Sequence, residues 1–328
     1  MPSPFFTLSD QLNLPTTAWL GILLALVAAV LLAFGTQLQN RGVVQVENVT
    51  VGRKTGLSLG QLRLLLARRA WVGGTLVLGA SIVLQLTSLS FAPLIVVQPL
   101  GAVALVITAI MNSRITKVPL DRVSIRSIVI CIAGVGMFVT IAALFGQSHP
   151  ITATQLVTVL IILLAVLAVL ITLFVRARTR APRPIFYVIA GGVLFGFVVT
   201  LAKVVIDRVK TIMVGEYTFG PTDILTLLCI LALAAGALLG TYFVQTAHSS
   251  NPPDIVVAGL TVIDPLVAVS IGIVVLGEAA GAPLWAVFAF AIAAAAAIYG
   301  VISLSRHNAH TPSETSLADA PATEVSEP

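Results

Sequence analysis

Charge is what this chain has least of: 18 Lys and Arg and 13 Asp and Glu, 9% of 328 residues. With 58% hydrophobic residues and a mean hydropathy of +1.06, that scarcity excludes a soluble globular protein. Cysteine is scarce too. Cys131 and Cys229 both fall inside apolar runs, so there is no disulfide framework and no metal-binding spacing, and each reads as a small buried side chain. No Gly-rich loop ends in Lys-Ser or Lys-Thr, and the four histidines have no clustered partners. An enzyme is therefore not expected, nor any cofactor. Residues 1–17 carry no basic n-region, which argues against a cleavable secretory signal.

What is present is a series of apolar runs, each long enough to cross the ~30 Å hydrocarbon core of a bilayer. They cover roughly residues 18–37, 70–91, 94–112, 124–144, 152–175, 185–206, 222–245, 253–276 and 284–304. The fold class is an all-α polytopic membrane protein of about nine spans, with ten as the variant. Of the 18 basic residues, fifteen lie in alternate loops: Arg41 to Arg69 after span 1, Arg114 to Arg126 after span 3, Arg176 to Arg183 after span 5, and Arg306 after span 9. Arg208 and Lys210 lie on the other side, and Lys203 lies inside span 6. The positive-inside rule then puts the N-terminus outside and the C-terminus in the cytoplasm of a plasma (inner) membrane. Basic loops of this kind face lipid head groups, so no nucleic-acid partner is expected from the net charge of +5.

One segment occurs twice, at an offset of 166 residues. Val96-Val97-Gln98-Pro99-Leu100-Gly101-Ala102-Val103 reads against Val262-Ile263-Asp264-Pro265-Leu266-Val267-Ala268-Val269. Each copy sets a polar residue before a proline within a span. Proline lacks the backbone N–H, so the carbonyls of Ile95 and Thr261 lose their helical donors. Such a spot is tolerated in a membrane only against protein or a watery cavity. Copy one runs outside to inside and copy two the reverse, the inverted repeat that supports alternating access. Pro99 and Pro265 are its candidate hinges.

The organisation that follows is a short extracytoplasmic N-terminus (1–17), a first half-repeat (18–144, spans 1–4) and a second (152–305, spans 5–9). The division is uneven. The cytoplasmic loop 38–69 stands where a span of the first half is missing, and its Leu59–Arg69 stretch suits an amphipathic helix on the inner leaflet. The acidic tail, 306–328, is expected to be disordered.

These residues carry a family resemblance. Ala92-Pro93 followed by Val97-Gln98-Pro99-Leu100-Gly101-Ala102 resembles the first-half signature of NIPA-type magnesium transporters, and Gln37-Leu38-Gln39-Asn40-Arg41-Gly42 resembles the end of their first helix. The second half, with Pro265 and Leu276-Gly277-Glu278, is similar to the EamA-like repeat of the drug/metabolite transporter (DMT) superfamily. The resemblance covers about residues 18–305 and implies an inverted-repeat EamA-like bundle. Asn112 departs from it, standing where an EamA-like half usually carries a glutamate.

Asp264 leads the candidate site. It lies eleven residues into span 8, ~16 Å along the helix and so near mid-membrane, where an ionisable group costs at least ~2.5 kcal/mol without a partner. Gln98 is its pseudo-symmetric counterpart. Lys203 is a candidate anion contact or a residue that snorkels to the outer interface. Gln37, Gln85 and Gln245 are amides expected to face the bundle, with Gln39 and Asn40 beside Gln37. Glu278 reads as an interfacial charge, and joins Asp264 as a metal ligand only if the cargo is magnesium. Gly192 with Gly196 and Gly236 with Gly240 have GxxxG spacing, which suggests that spans 6 and 7 cross each other or a second protomer in a homodimer.

A lysine and a lone acid favour a secondary transporter of a small metabolite or drug-like solute working by alternating access. The alternative is magnesium, against which a lysine in the same cavity would act electrostatically. A third reading is a non-transporting membrane partner of an envelope enzyme.

Overall fold

The computed structural model describes residues 16–47, 66–117, 119–147, 151–177, 184–213, 221–250 and 253–308. Among them there is no strand. The helices are α1 (Thr16–Glu47), α2 (Arg69–Phe91), α3 (Leu94–Leu100), α4 (Ala102–Thr116), α5 (Arg122–Phe145), α6 (Ala153–Ala177), α7 (Ile185–Met213), α8 (Pro221–Ser250), α9 (Pro253–Val274) and α10 (Leu284–Asn308). Taken with α3 and α4 as a single span, they give nine candidate membrane spans among the described residues, as the apolar runs require. Residues 59–65 of the amphipathic stretch lie outside the described residues, as does nearly all of the acidic tail.

The lateral surface is apolar. Leu76, Ile82 and Val83 on α2, Ile161 and Leu164 on α6, and Leu284, Phe288 and Ile292 on α10 are all exposed. In water such a surface would aggregate; in a bilayer it is the solvent-facing side. Trp19 and Trp285 are exposed at the same end of the bundle, where indoles sit at a head-group interface.

Helix pairing follows the repeat. α1 packs on α2 as α7 packs on α8; α1 packs on α4 as α7 packs on α9; α3 packs on α5 as α9 packs on α10. The α3–α9 and α5–α10 contacts relate each half to the other. The offset of 166 therefore matches α1–α5 with α7–α10, and α6 stands between the two sets, packed on α8.

Small residues set the closeness of these pairs. A Cβ on Gly21 would lie 2.6 Å from Ala92 Cβ, one on Gly42 2.6 Å from Trp71 Cβ, and one on Gly74 2.5 Å from the Gln39 nitrogen. Ser81 and Ser88 donate their hydroxyls across the same seam to the Ala28 and Gly21 carbonyls, at 2.8 and 2.7 Å. Between α5 and α10, Gly134 abuts Ala297, Gly300 abuts Cys131, and Ser127 bonds Ser303 at 2.7 Å. Without a hydrophobic drive between helices in lipid, this close packing and cross-helix bonding is what holds them together.

Candidate functional site

Two helix interruptions position the polar residues. Ala92-Pro93 stops α2, because proline disfavours the helical conformation of the residue before it, and α3 starts at Leu94. The second interruption is at Gly101. Pro99 gives no N–H to Ile95, and the chain turns with i→i−3 bonds, Gly101 N to Gln98 O and Ala104 N to Gly101 O. In the other copy α9 continues through Pro265, with Val267 in the place of Gly101.

The prolines meet. Pro99 and Pro265 line one apolar cleft of about 70 Å³ between the halves, with Val135, Phe138, Thr261 and Ala294. Gln98 and Asp264 are not part of its wall. Gln98 is 5% exposed, and its Nε2 has no hydrogen-bond partner; Oδ1 of Asp264 is likewise buried and unpartnered. Each unsatisfied buried group of this kind costs ~1–3 kcal/mol. An apolar side chain at either position would remove that cost.

Asp264 lies against α7. A Cβ on Gly192 would fall 2.8 Å from Ile263 Cβ, and one on Gly196 would fall 2.7 Å from Val267 Cβ and 2.9 Å from the Asp264 carbonyl oxygen. The Gly192–Gly196 pair thus seats α9, not α8. On α8, Gly240 faces Leu194 and Phe195 and Gly236 faces Val198, so that half of the expected crossing holds.

Lys203 is elsewhere. It lies seven residues beyond Gly196, about 10 Å further along α7. Its side chain is buried, at 3% exposure, and does not snorkel. The ammonium donates to the Leu89 carbonyl at 2.7 Å and the Ala92 carbonyl at 3.4 Å, and pairs with Asp207 at 3.2 Å. It closes the C-terminal end of α2.

Glu278 closes the other side of the same break. Read as an interfacial charge, it is instead 3% exposed. Oε1 accepts from the Leu94 N–H and Oε2 from the Ile95 N–H, both at 2.9 Å, satisfying amides that α3 cannot bond internally. Burial pushes its carboxyl above the ordinary glutamate range, opposed by those two amides and by the Lys203 ammonium. The turn that presents it rests on Gly277, whose φ of 70° favours glycine. Gln155 Nε2 bonds the Val275 and Leu276 carbonyls, and Gln147 N bonds the Glu278 carbonyl.

The structure does not bring Asp264 and Glu278 together. Glu278 Oε2 lies 3.0 Å from where a Cβ on Gly272 would be. Gly272 is eight residues, about 12 Å, along α9 from Asp264. Among the described residues no group of three or more His, Cys, Asp or Glu is arranged to hold a metal. The amides are dispersed as well. Gln39 bonds Thr75 on α2, Gln37 and Gln85 are half-buried on α1 and α2, and Gln245 is exposed near the end of α8 rather than facing the bundle.

Residues 16–308 match the family model described as magnesium transporter NIPA. An uncharacterized protein of Corynebacterium glutamicum is 28% identical over 288 residues, 88% of this chain and 95% of its own length. The human and mouse magnesium transporters NIPA4 are each 26% identical over 193 residues, 56% of this chain and 46% of theirs. No solved structure matches.

Proposed function

The chain belongs to the magnesium transporter NIPA family, and on that premise we propose that this multi-pass membrane transporter carries the magnesium ion. The observation that carries the reading is the position of Lys203. With its ammonium committed to Leu89, Ala92 and Asp207, Lys203 does not stand beside Asp264 to repel a divalent cation. What Asp264 offers is an unpartnered carboxylate oxygen, the neighbouring Thr261 carbonyl that Pro265 leaves without a helical donor, and Gln98 on the helix that faces α9. One carboxylate is too few for an all-protein cage. It suits Mg²⁺, which dehydrates reluctantly and is commonly held by one or two carboxylates through its remaining waters.

The proposal includes the plasma membrane, with the N-terminus outside and the C-terminus cytoplasmic, because fifteen of 18 basic residues fall in the loops of one side. Magnesium uptake into proteoliposomes with an entrapped indicator dye tests the cargo. Saturable uptake lost in Asp264→Asn is expected. No uptake above empty liposomes from folded protein would overturn magnesium and return the choice to a small organic solute.

A further inference from the structure

The polar contacts between the two halves are unevenly distributed. At the end of the bundle that holds the α2–α3 break, Lys203 and Lys210 of α7 bond the Leu89, Ser90 and Ala92 carbonyls, while Glu278 takes the Leu94 and Ile95 amides. Leu94, Ile95, Val96 and Val97 are completely buried there. At the far end the halves share the neutral Ser127–Ser303 hydrogen bond. Open space also lies away from the break. Beyond the cleft at the prolines, a pocket of about 210 Å³ opens among Ile185, Ile255, Val262 and Ile302, toward the far end.

We propose that Lys203 and Glu278 form a gate that closes the break end of the bundle. One half contributes a broken helix, whose carbonyls and amides left without helical partners are of opposite polarity; the other contributes a cation for the first and a carboxyl group for the second. Both side chains act on the backbone that leads to Gln98, four residues beyond Leu94, so they are positioning residues and touch no cargo. Hydrogen bonds to charged groups at a helix break can be exchanged for water when the end opens, whereas an apolar seal cannot, so the same contacts serve a closed and an open state. The gate rests on the transport reading, since only a transporter needs that end to open.

Cysteine accessibility in the full chain tests it without any cargo. Val97→Cys reports the break end and Ile302→Cys the far end, and the native Cys131 and Cys229 are buried. A membrane-impermeant maleimide is applied to sealed proteoliposomes from either side. Glu278→Ala is expected to raise Val97→Cys labelling at least about tenfold, on the scale of a lost charged hydrogen bond. Ile302→Cys labelling is expected to hold or fall. Lys203→Gln, which shortens the other arm, supplies the same comparison if Glu278→Ala does not fold. Unchanged Val97→Cys labelling would overturn the gate, and so would a rise at both ends together, which marks general loosening. Switched labelling without magnesium flux would sink the cargo and leave the gate standing; flux with unswitched labelling would do the reverse.

Discussion

Lys203 and Glu278, 75 positions apart in the second half, face the two sides of one interruption in the first: the ammonium holds the Leu89 carbonyl at 2.7 Å and the carboxyl group holds the Leu94 amide at 2.9 Å. Each answers the polarity of the helix end it meets. A break that would be untenable in lipid is satisfied from across the bundle.

Removing the Glu278 side chain leaves two buried amides without acceptors. Glu278→Ala is expected to destabilise the detergent-solubilised protein by ~2–3 kcal/mol, read as a lowered thermal midpoint. Glu278→Gln should lose less, because it keeps one acceptor and gives up a charge that burial disfavours. Equal midpoints for the two variants would contradict the bonding pattern.

Lys203→Met takes the ammonium from Asp207 and from the Leu89 and Ala92 carbonyls together. A loss of ~2 kcal/mol is expected, and adding Asp207→Asn should recover part of it, since removing one partner of a largely buried pair costs more than removing both. Strict additivity in that double-mutant cycle would show that the pair is not coupled.

Gly196→Ala drives a methyl into Val267 and the Asp264 carbonyl, an overpacking expected to cost ~1–3 kcal/mol and to lower transport by displacing Asp264. Gly73→Ala meets nothing within 4 Å on α2 and should be neutral or mildly stabilising. Comparing the two midpoints and flux rates separates helix propensity from fit.

Asp264→Asn preserves shape while removing the charge. Its thermal midpoint should match or exceed the parent's, because no ion pair is lost and an unpartnered acid leaves the interior. Magnesium flux should fall at least about tenfold. A clear drop in stability would instead identify Asp264 as a structural residue.

The spans were readable because each is a local property: length and apolarity set the nine runs, and Ala92-Pro93 marked the gap between two of them to the residue. The repeat was readable because Gln98-Pro99 and Asp264-Pro265 keep their register. Gly101 against Val267 even encodes why only α3 and α4 part company. The partners of Lys203 and Glu278 were not readable. Lys203 bonds residues 111 and 114 positions away and Glu278 residues 183 and 184 away, separations that no periodicity carries. Composition alone treats a charge near a span end as interfacial, and here the helix ends it meets are themselves buried. Gln245 failed for the opposite reason. An amide near the end of a span reaches the interface, and its presence in an apolar run does not fix the face it occupies.

The capping of α3 also has an order in time. Leu94 and Ile95 leave the ribosome long before Glu278, and their amides must enter the bilayer with no acceptor from their own helix. Until the turn between α9 and α10 has been synthesised, the first four spans hold an open seam that only water or the insertion machinery can satisfy. A chain that ends before Glu278 therefore keeps two amides without these acceptors, and the bonding of its third span is completed only by the turn that leads into its last.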